Sequence, residues 1–374
     1  MTASQPSSSL GIPLCELSLF PATKAQIRVS RTRTFKQWGR GMTLEEYLDR
    51  DEKSDRHDVA KDGRLVTWVL ARRDAPSGID FLCSCETFRR DGVVVKPEST
   101  RLEDAACYGI ASVFTPPENR GKGYARHMMR LLHWVLAPES ALPEFPTDMW
   151  GARPDRREWK SEQVLEGHGA NAAVSVLYSD VGREFYAGCG VLPTGGSASG
   201  WTVREPFSTV WKVDELVETL GPGEEDWQWL DEKGLHELWK VDAEVMKAEM
   251  RGMGSSAGLF AFLPDKGVAD FQVQRQKYFW KKKGVRPEYW GVCKGGDPST
   301  YASWTIDTNV LVITRLRAAM DEMEGLMRAV AGFAKRHGVE TMEVWGMGGK
   351  ERDEHLSAAK WYGDGDVRWC FNEK

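Results

Sequence analysis

The sequence lacks most features that mark a secreted, membrane-spanning or metal-binding protein. Its 374 residues contain no apolar run near the ~18 residues that a membrane helix needs. The first ten residues are polar and lack the basic and then apolar pattern of a secretory signal. The seven cysteines are odd in number, and none forms a Cys-x-x-Cys pair or another set with metal-ligand spacing. We therefore predict a cytoplasmic protein with reduced cysteines and no metal.

A strong charge of one sign is also missing. The formal net charge is −5 and the pI is about 5.9, so neither nucleic acid nor a membrane surface is expected as the main partner. With 41% hydrophobic and 28% charged residues, the composition is that of a folded globular protein. The length exceeds one typical domain, so two domains are expected. The composition favours no particular oligomeric state.

The first half of the chain has the periodicity of a mixed α/β unit. Strand-like runs occupy 65–72, 79–88, 108–114 and 172–178, and helical patterns occupy 22–38, 43–50 and 123–136. Asp91-Gly92 before three valines is typical of a hairpin turn. The Gly/Ser-rich segment 195–200 marks the end of this unit. We predict a first domain over residues 1–205 and a second over 206–374.

The second half repeats this order of elements without close sequence identity. Strands are predicted at 289–293, 302–306, 311–316 and 342–345, and a strong helix at 318–337 precedes the last strand. The order of strand, strand, strand, helix, strand is that of residues 65–178, which indicates an architectural repeat. The predicted fold class is therefore α/β (α+β) in both halves.

A basic, glycine-rich loop stands between the third strand and the helix of the first half. It reads Asn-Arg-Gly-Lys-Gly-Tyr-Ala over 119–125. Glycines let the backbone approach a ligand closely, and the first N–H groups of a helix attract an anion. Arg120 and Lys122 add positive charge, so a pyrophosphate site is indicated. Taken alone, an ordinary basic surface loop explains the Arg-Gly-Lys-Gly stretch equally well.

The loop resembles the Arg/Gln-x-x-Gly-x-Gly/Ala signature of the GNAT acetyltransferases, which Arg120, Gly123 and Ala125 match. Two later segments, 174–178 and 180–190, are similar to that family's pantetheine-binding strand and its Phe-Tyr-x-x-x-Gly element. More narrowly, 177–180 and 85–90 are similar to fungal lysine N-acetyltransferases of the lysine-catabolism type, which also carry a C-terminal domain.

The resemblance implies a GNAT fold with a central mixed sheet over 1–205 and acetyl transfer from acetyl-CoA to a primary amine. The implied acceptor is the side-chain amine of free L-lysine, with a polyamine, an amino sugar or a protein lysine as other acceptors. A CoA-binding protein without turnover is the alternative from another class. The implied cofactor-binding residues are Val113, Phe114, Arg120, Gly121, Lys122, Gly123, Tyr124 and Ala125.

The C-terminal half has no counterpart of the cofactor loop. Where the strand at 311–316 gives way to helix, the chain reads Arg-Ala-Ala-Met over 317–320, without glycine. Our hypothesis is a degenerate GNAT-like domain that holds no cofactor and forms part of the acceptor site. The alternative is an unrelated stabilising domain.

Two residues are predicted to move the protons of the reaction. By resemblance Tyr186 protonates the departing thiolate, although its ring could instead pack the short helix, as Phe185 would. Family members that use a glutamate base place it early in the strand before the loop, where this chain has Cys107. We predict that Glu86 replaces it, with ordered water as the other route. An ion pair with the arginine at 89 or 90 is the structural alternative for this carboxylate.

Overall fold

Two mixed β-sheets and the helices packed on them form the protein. The computed structural model describes residues 11–155, 159, 168–179, 181–193, 200–204, 207–222, 226–254, 256–282, 287–345, 347, 351–352 and 356–371. The strands are β1 Leu17–Pro21, β2 Leu65–Arg72, β3 Cys83–Val95, β4 Leu102–Phe114, β5 Ala172–Ser179, β6 Thr202–Arg204, β7 Phe207–Lys212, β8 Trp227–Leu230, β9 Gly258–Phe262, β10 Gly291–Lys294, β11 Asp297–Asp307, β12 Val310–Arg317, β13 Thr341–Trp345, β14 Glu351–Arg352, β15 Leu356–Trp361 and β16 Val367–Trp369. The helices are α1 Lys24–Trp38, α2 Leu44–Ser54, α3 Tyr124–Leu136, α4 Thr147–Trp150, α5 Arg183–Ala187, α6 Val213–Leu220, α7 Glu232–Gly252, α8 Asp270–Lys282 and α9 Met320–Arg336.

The first sheet carries the predicted cofactor loop. Its strand order is β1-β2-β3-β4-β5-β15-β6, and the long strand β3 also pairs with β9, which in turn pairs with β16. Along the main order only β4 and β5 run parallel. Helix α3 crosses from β4 to β5 and packs its Met128, Leu131, Leu132 and Val135 side chains, all nearly inaccessible to solvent, into the main core of this half. The predicted helical spacing is confirmed.

Helices α1 and α2 pack together near the strand β3. Each begins with a capping box, in which the side chain of Thr23 or Thr43 accepts a hydrogen bond from the third helical N–H and the residue there returns one. The Ser30 hydroxyl of α1 lies 2.9 Å from the Ser84 hydroxyl of β3. This contact places α1 on the face of β3 that carries the even-numbered residues, because side chains alternate along a strand.

The second sheet has the same design as the first. Its order is β14-β7-β13-β12-β11-β10-β8, and again a single pair, β12 with β13, is parallel and joined by a helix, α9. Helices α7 and α8 occur between the edge strand β8 and β10, as α1 and α2 occur between β1 and β2. The predicted architectural repeat is therefore confirmed.

The two sheets exchange strands. The position beside β5 in the first sheet is filled by β15, which comes from the C-terminal part of the chain, and the equivalent position beside β13 is filled by β7. Strands β9 and β16 also join the first sheet from the second half. The division at residue 205 stays a prediction, and the pairing shows that strands from beyond it complete the first sheet.

The predicted hairpin turn at Asp91-Gly92 is wrong. Both residues lie inside β3, which continues to Val95. A Cβ on Gly92 would lie 2.8 Å from the Ala261 carbonyl oxygen and 2.8 Å from the Cys107 sulfur. Glycine is therefore needed here for close approach of strands on both sides, not for a turn. Among the described residues, no helix is both long and apolar enough to cross a membrane.

Candidate functional site

The first sheet opens between β4 and β5. Their parallel ladder runs from Ala106–Ala172 to Ile110–Leu177 and ends there, although β4 continues to Phe114. Beyond Ile110, the edge of β4 that faces β5 is therefore not paired with β5 in this ladder. A backbone edge of this kind offers hydrogen bonds to a ligand that enters between two strands.

A bulge in β4 lies beside this opening. Ser84 is opposite Phe114 and Glu86 is opposite Ala111, so two residues of β4 face one of β3. Ser112 in the bulge has a φ of 52°, a left-handed conformation that costs a non-glycine residue free energy. Bulges redirect side chains and are frequent beside active sites.

The predicted cofactor loop joins this opening to α3. Gly121 and Gly123 have φ values of 75° and 82°, and a Cβ on either would meet nothing within 4 Å. Gly123 is the N-cap of α3, and the first N–H bonded inside the helix is that of His127, to the Gly123 carbonyl. The preceding N–H groups of the first turn therefore face outward, as an anion-binding helix end requires.

Three exposed cations surround this helix end. Arg120 and Lys122 were predicted, whereas Arg126 on the first turn of α3 was missed, although its place two residues after the loop is a sequence signal. The Arg120 Nε donates to the Thr115 carbonyl at 3.0 Å, and the Asn119 amide donates to the Leu82 carbonyl at 3.1 Å. These bonds hold the loop against the end of β3.

The remaining predicted cofactor residues have different environments. The Tyr124 side chain is buried, and its hydroxyl accepts a hydrogen bond from the Ile12 N–H at 2.7 Å. Tyr124 and Ala125 are therefore placed to act through backbone N–H groups. Val113 packs against the main core, and Phe114 makes an edge contact with Trp38 at 6.1 Å between ring centroids. Both lie at the end of β4, beside the opening.

Glu86 lies partly buried opposite the bulge. The Ser112 hydroxyl donates to its carboxylate at 2.6 Å. Burial raises the pKa of Glu86, although the Arg31 guanidinium and the Ser112 hydrogen bond oppose the shift. The ion pair with the arginine at 89 or 90 is not formed among the described residues. A carboxylate with a raised pKa is better matched to proton transfer near neutral pH.

Cys107 cannot replace a glutamate as base. Burial raises the pKa of its thiol to about 12, so the group stays protonated and neutral at physiological pH. The thiol packs with Val174 and Val176 of β5 in a small apolar cluster.

Tyr186 lies in α5 beside α3, with its side chain 6% exposed. Its ring makes edge contacts with Phe185 and Trp201, with ring centroids 4.9 Å and 6.3 Å apart. The ring therefore packs the short helix. The role of Tyr186 as proton donor stays a prediction, as does that of Glu86 as base.

Comparison with known proteins identifies this arrangement. Residues 215–374 match the family described as the LYC1 GNAT-like C-terminal domain. A GCN5-related N-acetyltransferase from Kribbella flavida shares the fold over 92% of this chain and 72% of its own, with a TM-score of 0.50 and 14% identity. This similarity shows that the chain has the GNAT fold. A probable N-acyltransferase from Enterococcus faecalis V583 aligns with this chain at a TM-score of 0.52 and 12% identity, over 92% of this chain and 73% of its own.

Two fungal proteins resemble most of this chain. One, named lysine acetyltransferase, is from Yarrowia lipolytica and is 25% identical over 341 residues, which are 83% of this chain and 78% of that protein. The other, uncharacterized protein YGR111W of Saccharomyces cerevisiae, is 23% identical over 347 residues, also 83% of this chain and 78% of its own length. The predicted GNAT resemblance and fold class are confirmed.

A separate cavity of about 970 Å³ is lined mainly by residues of the second half, and none of the residues at 119–125 line it. Its wall includes Glu232, His236 and Asp270, a set whose ligand atoms lie within 4.8 Å of one another and would suit a metal ion. The His236 Nε2 lies 2.9 Å from Asp270, and Lys277 donates to Glu232 at 2.5 Å. Each of the two carboxylates in this set thus lies within ion-pair distance of a basic side chain.

Proposed function

We propose that this protein transfers an acetyl group from acetyl-CoA to the primary amine of a small molecule, with the side-chain amine of free L-lysine as the favoured acceptor. The observation that carries the proposal is the junction of β4 and α3. There, two left-handed glycines and the cations Arg120, Lys122 and Arg126 stand at a helix N-terminus beside the open β4–β5 edge. The name of the Yarrowia lipolytica relative supports lysine as acceptor.

The loop would bind the pyrophosphate of the cofactor, and the open edge of β4 would hold its amide-containing arm. Backbone N–H groups and positive charge at a helix start suit the phosphates. A backbone N–H near Val113 would stabilise the oxyanion of the thioester as it is attacked. These roles account for the predicted cofactor-binding residues, and none of them requires a metal ion.

The reaction removes two protons from the ammonium group of the acceptor, the second passing to water after the new bond has formed, and adds one proton to the departing thiolate. The amine must lose a proton before attack, since a lysine amine has a pKa near ~10.4, and we propose that Glu86 accepts it, directly or through water. The amine nitrogen then bonds to the acetyl carbon, and the carbon–sulfur bond breaks. The departing thiolate takes a proton, and Tyr186 is the proposed donor. A cytosolic location is part of the proposal and rests on the sequence.

The test is to mix the purified protein with acetyl-CoA and a panel of amines, and to follow thiol release. Mass spectrometry then locates the acetyl group on the product. Turnover with free lysine that falls in Tyr186→Phe would support the acceptor and the proton donor together. Turnover with another amine only would reject lysine. CoA binding without any turnover would reject the transferase and favour a CoA-binding protein.

A further inference from the structure

Arg90 and Glu86 project from the same face of β3. They are four residues apart on a strand whose pairing with β4 is regular between them, and side chains alternate along a strand. Their Cα atoms are therefore about 13 Å apart. The face they share also carries Ser84, which contacts α1. Arg90 thus stands on the surface that presents the proposed base.

The guanidinium of Arg90 has no anionic partner among the residues that the structure describes. Its Nε is buried without a hydrogen-bond partner, and no carboxylate of the described residues lies within 4.0 Å of it. By contrast, Arg31 on the same side of the sheet pairs with Asp55 at 2.7 Å, and Arg315 in the second half pairs with Asp242 at 2.8 Å. Burial lowers the pKa of Arg90. A desolvated cation without a counter-ion is costly unless an anion binds to it.

The Arg90 side chain leans toward Glu86. A Cβ on Gly109 would lie 2.9 Å from the Arg90 Cζ, and Gly109 is the partner of Phe88, midway between the two residues. The guanidinium is thus roughly 7 Å along the strand from the position of Glu86. Only glycine at 109 allows this approach. The next residue on that face of β4 is Ala111, which is also small.

Aromatic side chains from both halves border this stretch. The Phe262 ring of β9 lies 5.4 Å from the Arg90 Cζ. Tyr178, at the end of β5, lies close enough to Arg90 for its hydroxyl to influence the guanidinium charge. Its ring packs on Trp369, with ring centroids 5.8 Å apart. Phe262 and Trp369 both belong to the C-terminal half. Trp369 is buried and Phe262 half-buried, so these rings reduce the contact of Arg90 with water and strengthen its attraction for an anion.

We propose that Arg90 binds the carboxylate of the acceptor, so that the acceptor is a free amino acid with a second, distal amine. This inference rests on the proposed function. An extended four-carbon side chain holds its amine roughly 6 Å from the α-carbon, which fits the spacing between the guanidinium and Glu86. A planar guanidinium recognises a carboxylate through two parallel hydrogen bonds. Arg90 would thereby select against polyamines, which carry no carboxylate.

The test compares lysine with 1,5-diaminopentane, which has the same amine and chain but no carboxylate. In the unaltered protein we expect kcat/KM to be higher for lysine by about 10- to 150-fold, the range for a hydrogen bond to a charged group. Arg90→Gln should remove this preference by raising KM for lysine while leaving the values for 1,5-diaminopentane unchanged. Arg90→Lys keeps the positive charge but loses the planar pair of N–H donors, so it should retain part of the preference.

Arg89→Gln is the matched control. Arg89 is the neighbouring residue, its Nε is also unpartnered, and its side chain points to the opposite face of β3. It should keep the preference for lysine. Equal losses for both substrates in Arg90→Gln, or an unchanged preference, would overturn the inference and leave the transferase standing.

Calorimetry separates this inference from the proposed function. Lysine and 1,5-diaminopentane are titrated into the protein in the presence of CoA, so no turnover is needed. Tighter binding of lysine that is lost in Arg90→Gln would support the carboxylate site even if no amine is acetylated. Equal affinity for the two amines would overturn it.

Discussion

The two halves of the protein contain the same β-α-β unit, and only one of them carries a cofactor loop. In β4-α3-β5 and in β12-α9-β13 the parallel ladder ends early, the second at Val312–Glu343. Both units also have a bulge in the strand before the helix, the second opposite Ser303 and Trp304. The backbone devices that open the sheet are therefore common to both halves.

The chemistry at the helix start differs. Gly121 and Gly123 precede α3 with positive φ, whereas α9 is preceded by Ala318 and by Ala319, whose φ is −66°. The first turn of α9 carries Asp321 and Glu322, which repel a phosphate, in place of the cations around α3. The two halves thus share an opened sheet, and the residues at the start of the helix distinguish them.

In the second half, a buried ion pair lies beside the bulge of β12. Arg315, next to the bulge, pairs with Asp242 of α7 at 2.8 Å, and Tyr301 donates to the same carboxylate at 2.7 Å. All three side chains are almost fully buried. In the first half the corresponding face presents Glu86, whose partner is a serine hydroxyl. A closed network of charged and hydroxyl groups thus lies in one half, whereas the carboxylate in the other half has one hydrogen bond, from Ser112, among the described residues.

The largest effect is expected from Glu86→Gln. Loss of a general base should lower kcat by about 10²- to 10⁴-fold. The pKa of this carboxylate is raised, and only its ionised form accepts a proton, so the unaltered protein should lose activity as pH falls through that raised pKa. The variant should lack this acidic limb in a pH–rate profile. Glu103→Gln, at the other end of β4 and paired with Lys96, is the control. An unchanged kcat in Glu86→Gln would assign proton removal to water.

Removing one member of the buried network should destabilise the second half. Asp242→Ala removes the buried carboxylate that pairs with Arg315 and accepts a hydrogen bond from Tyr301, so the free energy of unfolding should fall by about 3–5 kcal/mol. Chemical denaturation measures it. Asp214→Ala removes an exposed ion pair with Lys335 and should cost less than ~1 kcal/mol. Replacing both Asp242 and Arg315 by apolar residues should recover stability, and failure to do so would mean that the network has more than an electrostatic role.

Gly123→Ala tests the loop itself. A Cβ at a φ of 82° strains the backbone and projects toward the proposed phosphate position. We expect the KM for acetyl-CoA to rise by about 10- to 100-fold, from ~1–3 kcal/mol of strain and lost contact. Gly221→Ala, at a φ of 65° after α6 with equally open surroundings, imposes similar strain away from the loop. Equal effects of the two substitutions on KM would argue against a cofactor site at Gly123.

The smallest effect is expected from Lys122→Ala. The side chain is exposed, so its attraction for a phosphate is screened by salt. We expect CoA affinity to fall by only about two- to fivefold at low ionic strength, and by less at 0.5 M salt. Isothermal titration at both salt concentrations measures this. Lys240→Ala, on α7 and paired with Glu237, should change neither value.

Local signals explain most of what was predicted correctly. The capping box at Thr43 and Glu46 and the apolar spacing of α3 are encoded within one or two helical turns. The loop at 119–125 was predicted for the same reason, because glycine and basic residues act at their own positions. The same reasoning could have identified the neighbouring Arg126.

What was missed depends on residues distant in sequence. Strand β15 and its pairing with β5 join residues about 180 positions apart, for which a single sequence offers no signal. The Asp91-Gly92 pair has the local pattern of a turn, but contacts with β4 and β9 decide its conformation. Likewise, the Ser112–Glu86 hydrogen bond exists only because a bulge turns Ser112 toward β3.

The exchange of β7 and β15 has a consequence for biosynthesis. A ribosome delivers the chain from its N-terminus, so the first sheet must wait for residues 356–361 before β5 has its outer neighbour. The second sheet, in contrast, already has β7 before its central strands are made. The half that contains the loop at 119–125 is thus the first to be synthesised and the last to complete its sheet. Until residues 356–361 have been synthesised, β5 is an exposed strand edge that other chains could pair with, which raises the risk that the nascent protein aggregates.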